Sequence, residues 1–243
     1  VEDYGNSVVR SLNSASATYL RDENGGVLSP RGMLLVAKAG DRDQFEHEHR
    51  EFGLGTISVI EARHKIPILN PEMVQYAGFR EDIYDIDTDL LLQNFRREAL
   101  KNGAEIHIKS QVTALSYGDQ RWTITTPNGV YRATILVNAA GAWADPLAQM
   151  AGLDPLSITP YRRSMARIPA PAGHDVSSWP FMDEVGEAWY AKPDAGQLIV
   201  SPCEEHATHP HDAWADDMVL AEGLARYEQM VTAPVSRMSA NWA

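Results

Sequence analysis

Apolar positions recur at helical and strand spacings along most of the chain, and the pattern changes near its middle. Val8, Leu12, Ala15 and Tyr19 share one face of a predicted helix over Ser7–Tyr19, which the polar, glycine-containing stretch Asp22 to Gly26 ends. Gly32 to Lys38 is an apolar run of strand length. Asp41 to Glu51 is dense in charge and predicts a solvated helix, with Asp41 and Asp43 suited to its positive N-terminus. Ile57 to Leu69 predicts a short strand or turn and then a short helix that ends before Pro67; Met73 to Phe79 predicts a strand.

The clearest unit follows. Asp87-Thr-Asp is an N-cap cluster, Leu90, Leu91, Phe95, Ala99 and Leu100 line one helical face, and Asn102-Gly103 supplies the stop. Ala104 to Lys109 alternates as a strand and Gln111 to Ser116 as another. Asn128-Gly129 between alternating runs predicts a hairpin. Thr134 to Asn138 is apolar throughout, as expected for a strand inside a parallel sheet, and leads into a helix over about Pro146–Ala151 that Gly152 closes. After Pro155 the pattern breaks into short strands between prolines (Arg163–Ile168, Glu187–Lys192, Gln197–Val200), which predicts a mixed or antiparallel sheet. A last helix is predicted over Ala215–Met230. No internal repeat is visible.

Composition narrows the function classes. With 243 residues, 44% hydrophobic and 22% charged, the chain is an ordinary globular protein with a sizeable core. A net charge of −12 with no basic patch argues against nucleic-acid binding, and no apolar run has the ~20 residues of a membrane helix. Cys203 is the only cysteine, which points to a reducing, cytoplasmic setting, and beside Pro202 it reads as an inert thiol. His206, His209 and His211 fall in a proline-bounded polar loop, and Glu46-His-Glu-His is a charged helix face, so no metal site is expected. Both ends read as cut: Val1 to Gly5 approaches a helix, and an apolar segment starts at the C-terminus.

The stretch Ile135-Leu-Val-Asn-Ala-Ala-Gly-Ala-Trp carries the strongest chemical signal. Small residues between a strand and a helix let the backbone approach a ligand, although tight strand–helix packing explains them as well. The run Val137-Asn-Ala-Ala-Gly-Ala-Trp-Ala-Asp resembles a signature of the FAD-dependent D-amino-acid oxidase family. Asp85-Ile-Asp-Thr-Asp, the helix after it, Asn102-Gly-Ala and the Arg121-Trp hairpin follow in the family's order. Pro160-Tyr-Arg-Arg-Ser and Trp189-Tyr-Ala-Lys-Pro-Asp-Ala-Gly are similar to its D-arginine dehydrogenase-like members.

The resemblance implies an α/β fold: an FAD-binding Rossmann-like domain (1–26 and 84–154) interleaved with a mixed-sheet substrate domain (27–83 and 155–243), both truncated. It implies an enzyme that oxidises D-amino acids or related amines by hydride transfer from Cα to the flavin. Val112 would hold the adenine end of FAD through its backbone, and Ala140, Gly141 and Trp143 would form the flavin-contacting turn. Arg163 and Tyr190 would bind the substrate carboxylate, and Tyr4 would lie near the substrate side chain. Met33 stands where the arginine-specific members carry a glutamate, so a neutral or apolar substrate side chain is expected. No catalytic acid or base is required if the amine binds neutral.

A guanidinium grips a planar carboxylate with two parallel hydrogen bonds, which suits Arg163 to that role, but spacing alone allows Arg162 equally. The chain departs from the family pattern in lacking Gly-x-Gly-x-x-Gly, for Gly53-Leu-Gly-Thr-Ile-Ser lacks the third glycine and follows a charged segment. It also ends before the family's second carboxylate-binding arginine. The given stretch alone is therefore expected neither to hold FAD tightly nor to turn over. The alternative is a non-catalytic remnant or binding module of the same fold. A nicotinamide-dependent dehydrogenase is weaker, because it too needs the missing fingerprint.

Overall fold

A computed structural model of the chain describes residues 6–23 and 26–243. In chain order its elements are α1 (Ser7–Thr18), β1 (Leu28–Pro30), β2 (Met33–Ala37), α2 (Arg42–Glu51), β3 (Gly55–Ile57), α3 (Val59–Lys65), β4 (Tyr76–Arg80), β5 (Tyr84–Ile86) and α4 (Thr88–Lys101). Then come β6 (Ala114–Gly118), β7 (Arg121–Thr126), β8 (Gly129–Ala133), α5 (Ala144–Met150) and β9 (Tyr161–Arg162). The remainder holds β10 (Met165–Ile168), β11 (Phe181–Glu184), β12 (Tyr190–Asp194), β13 (Gln197–Ser201), β14 (His206–Ala207), α6 (Asp217–Met230) and β15 (Ala240–Trp242). The chain forms two compact units: the described residues of Val1–Arg96 with Arg163–Glu204 and Trp214–Ala243, and Arg97–Arg162 with Glu205–Ala213.

The first unit is built on an eight-stranded mixed sheet in the order β15-β10-β13-β12-β11-β2-β4-β3. Its one parallel pair joins β11 to β2, with Phe181 beside Met33 and Glu184 beside Val36. Alternation sorts the side chains onto two faces. Leu34, Val36, Ala77, Met182, Ala191, Leu198 and Val200 form a buried core with Ala62 of α3, Ile66 just after it, and Tyr227 and Met230 of α6. Leu35, Ala37 and Val185 meet Phe45 of α2 on the other face.

Local chemistry fixes the helix ends. Ser58 and Glu61 form a reciprocal capping box at α3: the Glu61 N–H donates to Ser58 Oγ at 3.2 Å, and Glu61 Oε2 accepts from the Ser58 N–H at 2.7 Å. Asp87 accepts from the Leu90 N–H at 2.8 Å at the start of α4, and Asp216 accepts from Met218 and Val219 at α6. Within α6, Gly223 lies against Pro202, whose Cα is 2.9 Å from where a side-chain methyl would sit. Gly223→Ala is therefore expected to destabilise the first unit by about 1–3 kcal/mol through overpacking. Chemical denaturation checks this; an unchanged midpoint would mean that α6 shifts freely.

The second unit carries the three-stranded antiparallel meander β6-β7-β8, turned at Asn128-Gly129 as its sequence predicts, and the short pair β14-β9. Two predicted strands do not form. Ala104–Lys109 and Thr134–Asn138 are irregular, and Ile135 and Val137 are 76% and 78% exposed. A strand exists through its ladder partner, and among the described residues nothing pairs with either segment. The apolar stripe of α4 likewise buries no residue, although Phe95 stacks on Tyr19 with ring centroids 6.0 Å apart. No helix among the described residues is long and apolar enough to cross a membrane.

Candidate active site

In the first unit, one face of the central sheet and the residues beside it enclose a cavity of about 300 Å³. Met33, Phe181, Asp183 and Tyr190 line it from the sheet, joined by Arg31, Asp85, Arg163, Glu187 and Cys203. The register explains the grouping. Met33 lies beside Phe181, and Asp183 lies opposite Tyr190, so alternation sends all four to the face opposite Met182 and Ala191. Three expected substrate-binding residues, Met33, Arg163 and Tyr190, thus meet in one cavity. The fourth, Tyr4, lies outside the described residues.

Each side chain is held. Arg163 Nη2 lies 3.3 Å from Glu187 Oε2. Glu187 sits in a tight turn in which both it (φ 50°) and Gly186 (φ 74°) are left-handed, and the Gly186 N–H donates to Glu48 Oε1 at 2.9 Å. Beside Arg163, the Ser164 N–H donates to Glu204 Oε1 at 2.6 Å, and Ser201 Oγ donates to the Ser164 carbonyl at 2.9 Å. The serines are structural. The Tyr190 hydroxyl donates to Met165 Sδ at 3.1 Å, its ring packs 5.2 Å from Phe181, and burial raises its pKa. Cys203 is buried, and burial pushes its thiol up to about 12, so it remains protonated and inert. Arg162 instead meets His206 Nδ1 at 3.2 Å in the second unit, where His209 and His211 stack on each other.

Sequence reading alone missed the carboxylates. Asp85 takes Arg31 Nε at 2.7 Å and Lys192 Nζ at 2.9 Å, while Arg31 Nη1 also donates to the Ser177 and Trp179 carbonyls at 2.7 and 2.9 Å. Burial opposes the ionisation of Asp85, but the bonds from Lys192 and Arg31 outweigh it and hold its pKa below the ordinary value. Asp183 has the opposite fate. Burial first, then the charges of Glu48 and Glu187, raise its pKa well above the ordinary carboxyl range. The available signal was two adjacent acids, Asp183-Glu184, inside an otherwise apolar strand. Glu184 is neutralised by Lys38 at 3.0 Å.

The raised acid has a stability consequence with a definite sign. The unfolded chain ionises Asp183 near its ordinary value of about 3.9, while the folded chain keeps the proton. Stability therefore falls as pH rises from there through the folded value, and is level above it. Asp183→Asn is expected to match the wild type at low pH and to melt at a higher temperature at pH 7. Melting curves across pH check this; parallel curves would show that Asp183 contributes nothing.

The second unit holds its own cavity, of about 410 Å³ and mostly apolar. Val112, Leu115, Trp122, Leu136, Val137 and Ala140 are among its walls, with Asn138 and Asp154 as polar groups. Val112 and Ala140, two of the expected cofactor residues, meet here. Gly141 and Trp143 are not in the lining; they form a single helical turn just before α5, and Trp143 is exposed. Asn138 braces this turn, donating from Nδ2 to the Ala144 carbonyl at 2.8 Å and accepting from the Ala140 N–H at 3.3 Å. The walls fit a flat apolar ring. They do not account for a diphosphate, which needs backbone donors of the kind a glycine-rich loop provides.

Comparison with known proteins agrees with this architecture. Human dimethylglycine dehydrogenase (Homo sapiens, mitochondrial) is 24% identical over 211 residues, covering 82% of this chain but 24% of that protein. The rat enzyme (Rattus norvegicus) is 31% identical over 144 residues, covering 56% of this chain and 17% of its own length. The chain thus spans a quarter or less of these relatives. Among solved structures, L-proline dehydrogenase from P. horikoshii superposes with a TM-score of 0.80 at 17% identity, covering all of this chain and 68% of that one. Glycine oxidase from Geobacillus kaustophilus gives 0.72 at 21% identity, covering 96% and 64%. These likenesses establish the fold. The family model described as FAD dependent oxidoreductase matches residues 8–243, and the chain belongs to that family.

Proposed function

We propose that the protein containing this chain is a dehydrogenase or oxidase of small amino acids or related amines, D-amino acids among them. The observation that carries this reading is the meeting of Arg163, Tyr190 and Met33 in one cavity of the first unit. There the Arg163 guanidinium and the Tyr190 phenol grip the substrate carboxylate, and a fixed carboxylate fixes the direction of the Cα–H bond. Met33 lines the space left for the side chain with an apolar group, which favours small, uncharged substituents. The substrates named for the relatives, dimethylglycine, glycine and L-proline, are all small, and this supports the same size class.

FAD, when bound, supplies the acceptor for the hydride leaving Cα. On our reading the apolar cavity of the second unit takes the adenine end, with Val112 offering its backbone. The lone buried thiol supports a reducing, cytoplasmic setting.

The test is the visible spectrum of the full-length protein, followed by anaerobic addition of a panel of small D- and L-amino acids and N-methylated glycines. Flavin bands that bleach with substrate are expected. A protein that stays colourless after FAD is added would overturn the reading and leave the non-catalytic remnant.

A further inference from the structure

We propose that Asp183 is the counter-ion for the substrate's cationic nitrogen, in the cavity where Arg163 and Tyr190 take its carboxylate. The inference rests on the proposed function and adds to it the residue that reads the amine's charge.

The geometry carries it by elimination. Three acids line the cavity: Asp85, Asp183 and Glu187. Asp85 is occupied by Arg31 and Lys192, and Glu187 by Arg163. Asp183 is 8% exposed, and its carboxyl makes no hydrogen bond or ion pair among the described residues. A carboxyl that lines a cavity without an ion-pair partner is open to a cation that enters the cavity. The register puts Asp183 directly opposite Tyr190 on the same sheet face, one alternate position from Phe181, which lies beside Met33. An amino acid presents a carboxylate and an ammonium close together, and this cavity presents their complements: a guanidinium and phenol for the first, a carboxyl for the second.

Binding a cation is balanced by loss of one proton. The Asp183 O–H bond breaks, the proton leaves to solvent, and the carboxylate pairs with the ligand's positive nitrogen. The site's net charge is then unchanged by an ammonium. The other groups with a field at Asp183 are Glu48 from α2, Glu184 and Glu187 from its own segment, Arg163, Tyr190 across the strand pair, and the Cys203 thiol. The acids oppose its ionisation and Arg163 favours it, so the cation is what tips the balance.

The experiment uses two unreactive ligands of one shape on the full-length, flavin-bound protein. N,N,N-trimethylglycine carries a permanent positive charge, and 3,3-dimethylbutanoate is its uncharged isostere at that end. Titration calorimetry in buffers of different ionisation heat reads affinity and proton release together. In the wild type, the cationic ligand is expected to release a proton and to tighten about tenfold per pH unit until Asp183 is ionised, while the isostere is insensitive. Asp183→Asn should abolish the proton release and lower the preference for the cation by about tenfold or more, leaving the isostere unchanged. An unchanged preference in Asp183→Asn would overturn the assignment while leaving the carboxylate site intact. If neither ligand binds, or if both ignore Arg163→Met, the carboxylate site itself fails and the assignment falls with it.

Discussion

On the proposed function, Arg163→Ala in the full-length protein is expected to raise KM for amino-acid substrates by about a hundredfold, with the flavin spectrum unchanged. The effect is large because a guanidinium makes two parallel, charge-assisted bonds to a carboxylate. Truncating one partner of such a pair costs about 2–5 kcal/mol. The side chain is positioned for this: Ser164, next to it, is tied through its backbone to Glu204 and Ser201, and Glu187 steadies the guanidinium. Arg163→Lys should recover only part of the loss, since an ammonium restores charge but not the planar fork. Steady-state kinetics with the spectrum as a control decides it. A KM within twofold of wild type, with flavin retained, would remove Arg163 from substrate binding.

Trp189→Ala should be the most damaging core substitution, at about 3–5 kcal/mol, which lowers the melting temperature by on the order of 10 °C. Trp189 is fully buried between sheet and helix and meets Tyr227 of α6 edge to face, with ring centroids 5.0 Å apart and planes at 84°. Its indole N–H has no hydrogen-bond partner among the described residues. Trp189→Phe therefore keeps most of the apolar contact and removes an unsatisfied donor, and should cost far less. Thermal melts of both variants test the contrast; equal losses would mean that ring size, not apolar contact, is what the site requires. Because Tyr190 follows directly, the alanine variant should also weaken substrate binding.

Elements whose signals are local were legible in the sequence. The acids at the start of α4 and the Asn128-Gly129 turn act over three or four residues, so their chemistry is readable without the fold. Strands at 104–109 and 134–138 were not, because alternation describes which face is apolar and says nothing about whether a neighbour offers its backbone. The joining of β2 to β11 was invisible for the same reason. At the site, the residues alone left Arg162 and Arg163 equivalent, and the resemblance favoured Arg163. The fold sends the two apart, Arg163 to the cavity and Arg162 to His206. Asp183 escaped notice because its importance is its isolation, and isolation is a property of surroundings.

The parallel pairing of β2 with β11 has a consequence for how the protein is made. Residues 33–36 cannot complete their place in the sheet until residues 181–184 have been synthesised. At about 5–20 residues per second, the apolar face of β2 waits for roughly ten seconds or more during translation. The intervening meander of residues 114–133 closes on contacts between near neighbours and can form during that wait. Leu34, Leu35 and Val36 meanwhile form a nascent apolar segment that lacks its β11 edge.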